Sequence, residues 1–267
     1  MDPYQLIHDS ILRLLTQNAS LFESMGMTLF YAFAAIMLSW FGVQSALAGS
    51  GFPWAKFTAL LQQLLFCYVM LAFYTVPIPG LGISFTHLIL DQVQSMMTTL
   101  NQTSVQGVME TLNGLDNNLP YPAPYEVISI IRFFILELCI VAAQAVTLVV
   151  TMFGFVATAI IILLGPLFIP FKIVPEMEWM FWGWFRAFIQ YAFYQLIATA
   201  YVFVFGDFLT RFLGTKGTGL SGSDMAVLFV PLVLVLVTFA LGMTKVPALT
   251  FSIFSGRAGE YVMLRWR

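Results

Sequence analysis

The chain has 267 residues, 60% of them hydrophobic and only 9% charged, with a net charge of −2 and a mean hydropathy of +0.89. Soluble domains carry charge on about a quarter of their residues, so a surface facing water throughout is excluded. With that near-neutral balance, no excess of basic residues argues for tight nucleic-acid binding by phosphate neutralisation.

Crossing a hydrocarbon core takes about 20 helical residues. Five runs meet that length, so the expected fold class is an all-α membrane protein with about five transmembrane helices. Residues 1–24 carry Asp2, Asp9 and Glu23 against a single base, Arg13. Leu6, Ile7, Ile11, Leu14 and Leu15 lie at helical spacing there, which predicts an amphipathic segment. The first apolar run, 25–48, is too long for a signal peptide and lacks a basic lead, so it reads as a retained span despite Ala46-Leu47-Ala48. The second, 57–76, ends at Pro77 and Pro79.

The longest polar region, 80–124, follows. Ile83, Leu88, Val93, Met96, Met97 and Leu100 recur at helical spacing, predicting a second amphipathic helix. A turn-rich stretch then runs through Asn113-Gly114 to the prolines 120, 122 and 124, where Tyr121 and Tyr125 are placed to anchor at headgroups. The third apolar run, 133–164, exceeds the core thickness, so its start at Arg132 and Glu137 is expected to project. The fourth covers 187–205 and the fifth 225–243, in which Pro231 is expected to kink the helix or break its first turns. The resulting domain plan is 1–24, 25–76 (helices one and two), 77–132 (outer loop), 133–243 (helices three to five) and 244–267 (tail).

Basic residues near the spans set orientation. Lys56, Lys172, Lys245, Arg257, Arg265 and Arg267 fall on one side, and Arg13, Arg132, Arg211 and Lys216 on the other. That bias, densest at the end of the chain, puts the C-terminus in the cytoplasm and the N-terminus and central loop opposite.

Catalytic signatures are missing. The two histidines, His8 and His87, lie outside the spans, and there is no zinc motif, phosphate loop or nucleophile elbow. Asp207 and Glu137 sit near span ends, as interfacial anchors do. No enzyme activity, cofactor or metal is expected. Cys67 and Cys139 read as buried small hydrophobes. Ala35, Ser39, Gly42 and Ala46, with Gln62, Gln63, Gln144, Gln190 and Gln195, suit helix–helix packing more than a pore lining.

The most distinctive stretch separates the third and fourth runs. It reads Gly165-Pro166-Leu167-Phe168-Ile169-Pro170-Phe171-Lys172, then Pro175-Glu176, Trp179, and Phe181-Trp182-Gly183-Trp184-Phe185-Arg186, with Tyr191 beyond. Its residues predict an interfacial turn: Pro166, Pro170 and Pro175 stop the helix, the tryptophans and phenylalanines sit at headgroup depth, and Lys172 and Arg186 face the phosphates. This stretch resembles the central signature of the VirB6/TrbL family of type IV secretion systems. The small polar ending from Pro247 to Gly256 and the overall plan are similar to that family as well. The resemblance makes Gly165, Pro166, Pro175, Trp182, Gly183, Trp184, Arg186 and Tyr191 the candidate motif and assembly residues.

What the resemblance implies is a non-catalytic subunit of the bacterial inner-membrane complex of a conjugation machine. It implies a cyclic homo-oligomeric ring, a pentamer among the options, at the base of the stalk. A VirB5-like pilus-tip protein would stand above it. VirB8-like, VirB10-like and VirB3/VirB4-like components would lie alongside, and translocated DNA or protein would make transient contact. The alternative reading is a small-solute transporter or other channel, which calls for a charged or broken-helix site at mid-membrane; the sequence supplies only Pro231 and glutamines toward one.

Overall fold

The computed structural model describes residues 3–47, 52–80, 82–101, 112, 126–214 and 222–254. Most of these residues are helical, and there is no strand among them. The principal helices are α1 (Pro3–Leu47), α2 (Trp54–Ala72), α3 (Phe85–Asn101), α4 (Val127–Phe168), α5 (Glu178–Gly214), α6 (Gly222–Met243) and α7 (Val246–Phe254). Two short 3-10 turns, Ile169–Ile173 and Pro175–Met177, join α4 to α5. The outer-loop turns of 113–125, with Tyr121 and Tyr125, and the tail from 255 onward lie outside the described residues.

Four helical stretches are long and apolar enough to cross a membrane: Ala19–Leu47, Trp54–Ala72, Val127–Ile173 and Pro175–Leu209. The pair Phe229–Met243 and Val246–Phe254 makes a fifth if counted as one bent span. Their outward side chains are those of a lipid-facing surface. Leu47, Leu65, Leu138, Val149 and Leu241 are all more than 60% exposed, which water would not tolerate in such numbers.

The chain departs from the sequence-based expectations at the helix ends. The amphipathic segment 1–24 and the first span are a single helix, α1, because nothing between Pro3 and Leu47 breaks the backbone. Pro231 does not break α6. Proline's fixed φ is helical, so the helix loses one hydrogen bond there and continues. The break comes instead at Thr244 and Lys245, where the two segments meet at 41°. Pro247 causes it: the residue has no N–H, and its ring opposes the carbonyl four residues back, on Met243, where α6 stops. Lys245 N–H then closes a tighter turn onto the Gly242 carbonyl at 2.9 Å.

Two compact units divide the chain. The first, Met1–Gln92 with Phe155–Ala192, gathers α1, α2, the start of α3, and the α4–α5 turn with its flanking helical segments. Its core holds Phe30, Leu64, Cys67, Tyr74, Ile169, Phe181, Trp184 and Phe188. The second, Val93–Gly154 with Phe193–Arg267, packs the rest of α4 and α5 against α6 around Leu136, Ile140, Tyr194, Val202, Leu236 and Phe239.

Candidate functional site

The aromatic turn is built on a proline that a helix tolerates only with help. A proline inside a helix removes one N–H and opposes the carbonyl four residues earlier, at a cost of about 3 kcal/mol. At Pro166 that carbonyl belongs to Ile162. Contrary to expectation, Pro166 does not stop α4, which runs on to Phe168. The reason lies just past the end of α2: the buried Tyr74 hydroxyl donates to the Ile162 carbonyl at 2.5 Å, replacing the missing N–H. Trp184 Nε1–H donates to the neighbouring Ile161 carbonyl at 2.9 Å.

Gly165 makes room for both donors. A helical side chain covers the turn N-terminal to its own Cα. A Cβ on Gly165 would therefore collide with the Tyr74 hydroxyl, and it would stand 2.7 Å from the Trp184 ring. On the other side, Gly26 of α1 lies so close to the Pro166 backbone that a Cβ would meet its carbonyl carbon at 2.8 Å. Gly165 and Pro166 are thus clamped by α1, by the bend that follows α2 and by α5.

Helix α4 does end at the second proline. Pro170 falls in the first 3-10 turn, with Ile169, Pro170 and Ile173 all buried. Cys67 Sγ–H reaches the Ile169 carbonyl at 3.6 Å, and Phe33 packs on Phe171 at 5.4 Å between ring centroids. Val174, the residue before Pro175, is extended, as a pre-proline residue prefers, and the second turn starts there.

The aromatic residues divide into two groups, which corrects the expectation of one headgroup belt. Phe181 and Trp184 are buried core residues, 2% and 6% exposed, and Trp184 stacks on Phe188 with ring centroids 5.8 Å apart. Trp179 and Trp182 face outward at 71% and 47%. Lys172 has a partner within the chain. Its ammonium pairs with Glu178, and lies 4.8 Å from the Trp182 ring centroid. Trp182 Nε1–H also donates to Glu178 at 2.7 Å. The α5 start is therefore a closed cluster of cation, carboxylate and indole.

Of the remaining expected residues, Gly183 and Arg186 are exposed, and a Cβ on Gly183 would meet nothing within 4 Å. Its glycine answers no packing need in this chain. The Tyr191 carbonyl accepts from Thr158 Oγ1 at 3.1 Å, tying α5 to α4. The site therefore joins Gly165, Pro166 and Trp184, and places Trp182 with Lys172 and Glu178; Gly183 and Arg186 stay on the surface. Tyr74, Gly26 and Glu178 were not singled out from sequence. Pro166 did signal an orphaned carbonyl, but sequence does not say which distant donor fills it.

A family model described as TrbL/VirB6 plasmid conjugal transfer protein matches residues 27–246. The chain belongs to the TrbL/VirB6 family. The matched segment runs from within α1 to the first residue of α7 and includes the whole proline–aromatic turn. No curated protein matches the chain. As a TrbL/VirB6 member with four or five candidate spans, it is a multi-pass membrane component of conjugal transfer. Among the described residues no group of three or more His, Cys, Asp or Glu is placed to hold a metal.

Proposed function

We propose that this TrbL/VirB6 protein is a structural channel subunit of a type IV secretion system, and that it catalyses no reaction. The family match over 27–246 carries this reading. In this role it sits in the inner membrane with its N-terminus and central loop in the periplasm and its C-terminus in the cytoplasm, as the distribution of basic residues favours. Copies assemble into a cyclic ring at the stalk base through their small-residue helix faces. The amphipathic helix α3 and the N-terminal part of α1 offer the outer docking surface for a VirB5-like stalk protein. VirB8-like, VirB10-like and VirB3/VirB4-like components surround the ring, which serves pilus assembly and passage of DNA or protein.

The chemistry available supports a scaffold. At the α4–α5 turn Lys172, Glu178 and Trp182 are bonded to one another, and Tyr74 and Trp184 to backbone carbonyls, which is packing chemistry. A strain deleted for this chain should lose conjugal transfer and pilus production, and regain both with the gene supplied in trans. Normal transfer and piliation by the deletion strain would defeat the proposal.

A further inference from the structure

Tyr74 faces two ways. Its side chain caps the Ile162 carbonyl that Pro166 leaves without a donor. Its backbone holds the start of α3: the Tyr74 carbonyl accepts from Thr86 Oγ1 at 3.0 Å, and Phe85 N–H donates to the Phe73 carbonyl at 2.9 Å. The Phe85 ring stacks on Tyr74 and then on Phe188, with centroids 6.3 Å and 6.5 Å apart. Phe188 in turn stacks on Trp184, the donor to Ile161. Ser84 and Thr86 are buried and bonded to each other at 3.1 Å, so the α3 start is seated firmly on this cluster.

We propose that Tyr74 is a positioning residue that couples the seat of α3 to the course of α4 through Pro166. A proline inside a helix is a point where its course can change, because one backbone hydrogen bond is missing there. In this chain the donor is supplied by the bend between α2 and α3, so α4 holds its present course only while Tyr74 stays in place. Displacing α3 pulls on the Tyr74 carbonyl through Thr86 and on its ring through Phe85. The Ile162 cap then opens, and the α4–α5 turn is free to tilt. The outward role of α3 rests on the function proposed above. The Tyr74 linkage does not, and it can be measured on the purified chain alone.

The test places nitroxides at Ile160→Cys and Trp179→Cys, both exposed side chains on either side of Pro166, with Cys67 and Cys139 replaced by alanine. Pulsed electron–electron distance distributions are compared for the labelled chain, Tyr74→Phe and Thr86→Val, each with Pro166 and with Pro166→Ala. Tyr74→Phe keeps the ring and removes the donor, and Pro166→Ala restores the backbone N–H. The expected result is a shifted or broadened distribution for both variants with Pro166, and no change for either with Pro166→Ala. Unchanged distributions with Pro166, or equal changes in both backgrounds, would overturn the coupling.

Discussion

The Tyr201 hydroxyl occupies the space that a Cβ on Gly242 would fill, and from there it reaches the Phe239 carbonyl at 3.2 Å. The same relationship recurs at Gly154, where the Tyr194 hydroxyl donates to the Val150 carbonyl at 3.1 Å and a Cβ would stand 2.5 Å from the Tyr194 ring. Gly165 repeats it with Tyr74 and Trp184. In each case a glycine three or four residues after a carbonyl leaves that carbonyl uncovered, and an aromatic donor from elsewhere in the chain takes it. Within lipid, where water cannot satisfy polar tips, such pairs let large aromatics sit between helices with their polar atoms bonded.

Gly242→Ala should therefore destabilise the protein by about 1–3 kcal/mol, the usual range for overpacking. The loss would appear as a lower thermal unfolding midpoint in detergent. Adding Tyr201→Phe should recover part of it, since the clash falls on the hydroxyl and neighbouring ring carbon. An unchanged midpoint for Gly242→Ala would contradict the packing described.

Gly183 makes the opposite case. It lies in α5 with open space around it, so Gly183→Ala should be neutral or stabilising by up to about 1 kcal/mol from helix propensity. Thermal midpoint and mating efficiency should be read together. A stable Gly183→Ala protein that no longer supports transfer assigns this exposed surface, with Trp179, Trp182 and Arg186, to contact with another protein. A destabilised variant would refute the open environment.

The two central tryptophans should separate by the same logic. Trp184→Ala removes a buried ring, at a cost of about 3–5 kcal/mol. Trp184→Phe loses chiefly the Ile161 hydrogen bond, about 1 kcal/mol. Trp182→Phe instead loosens the Lys172–Glu178 cluster at the surface and should leave the midpoint nearly unchanged. Equal losses for Trp182→Phe and Trp184→Ala would restore the single aromatic belt.

Much of the architecture was legible in the sequence because lipid imposes a simple rule: an uninterrupted apolar run of sufficient length becomes a helix. The runs around α1, α2, α4 and α5 follow it. What sequence could not supply is the identity of long-range partners. Pro166 reads locally as a helix stop, and only the arrival of Tyr74 from 92 positions earlier makes it an interior residue. Trp182 and Trp184 look alike in the chain, yet one helical turn has room to point them differently, and burial separates them. The bend expected at Pro231 falls instead near Pro247, where proline stands in the first turn of a new helix rather than inside an established one.

Cys67 offers an independent check on the first unit. The thiol is fully buried against Ile169, while Cys139 is partly exposed, and both are free. A small maleimide should label Cys139 in the folded protein and Cys67 only after unfolding. Fast labelling of Cys67 under native conditions would mean that the α4–α5 turn does not pack on α2.

Assembly is the central claim, and affinity purification of the tagged chain from membranes in mild detergent tests it most directly. Co-purifying proteins would be identified by mass spectrometry, and particle symmetry by electron microscopy. A cyclic oligomer of this chain carrying a secretion ATPase or a small pilus-tip protein is the predicted result. A lone monomer or dimer, with none of that machinery attached, would contradict it.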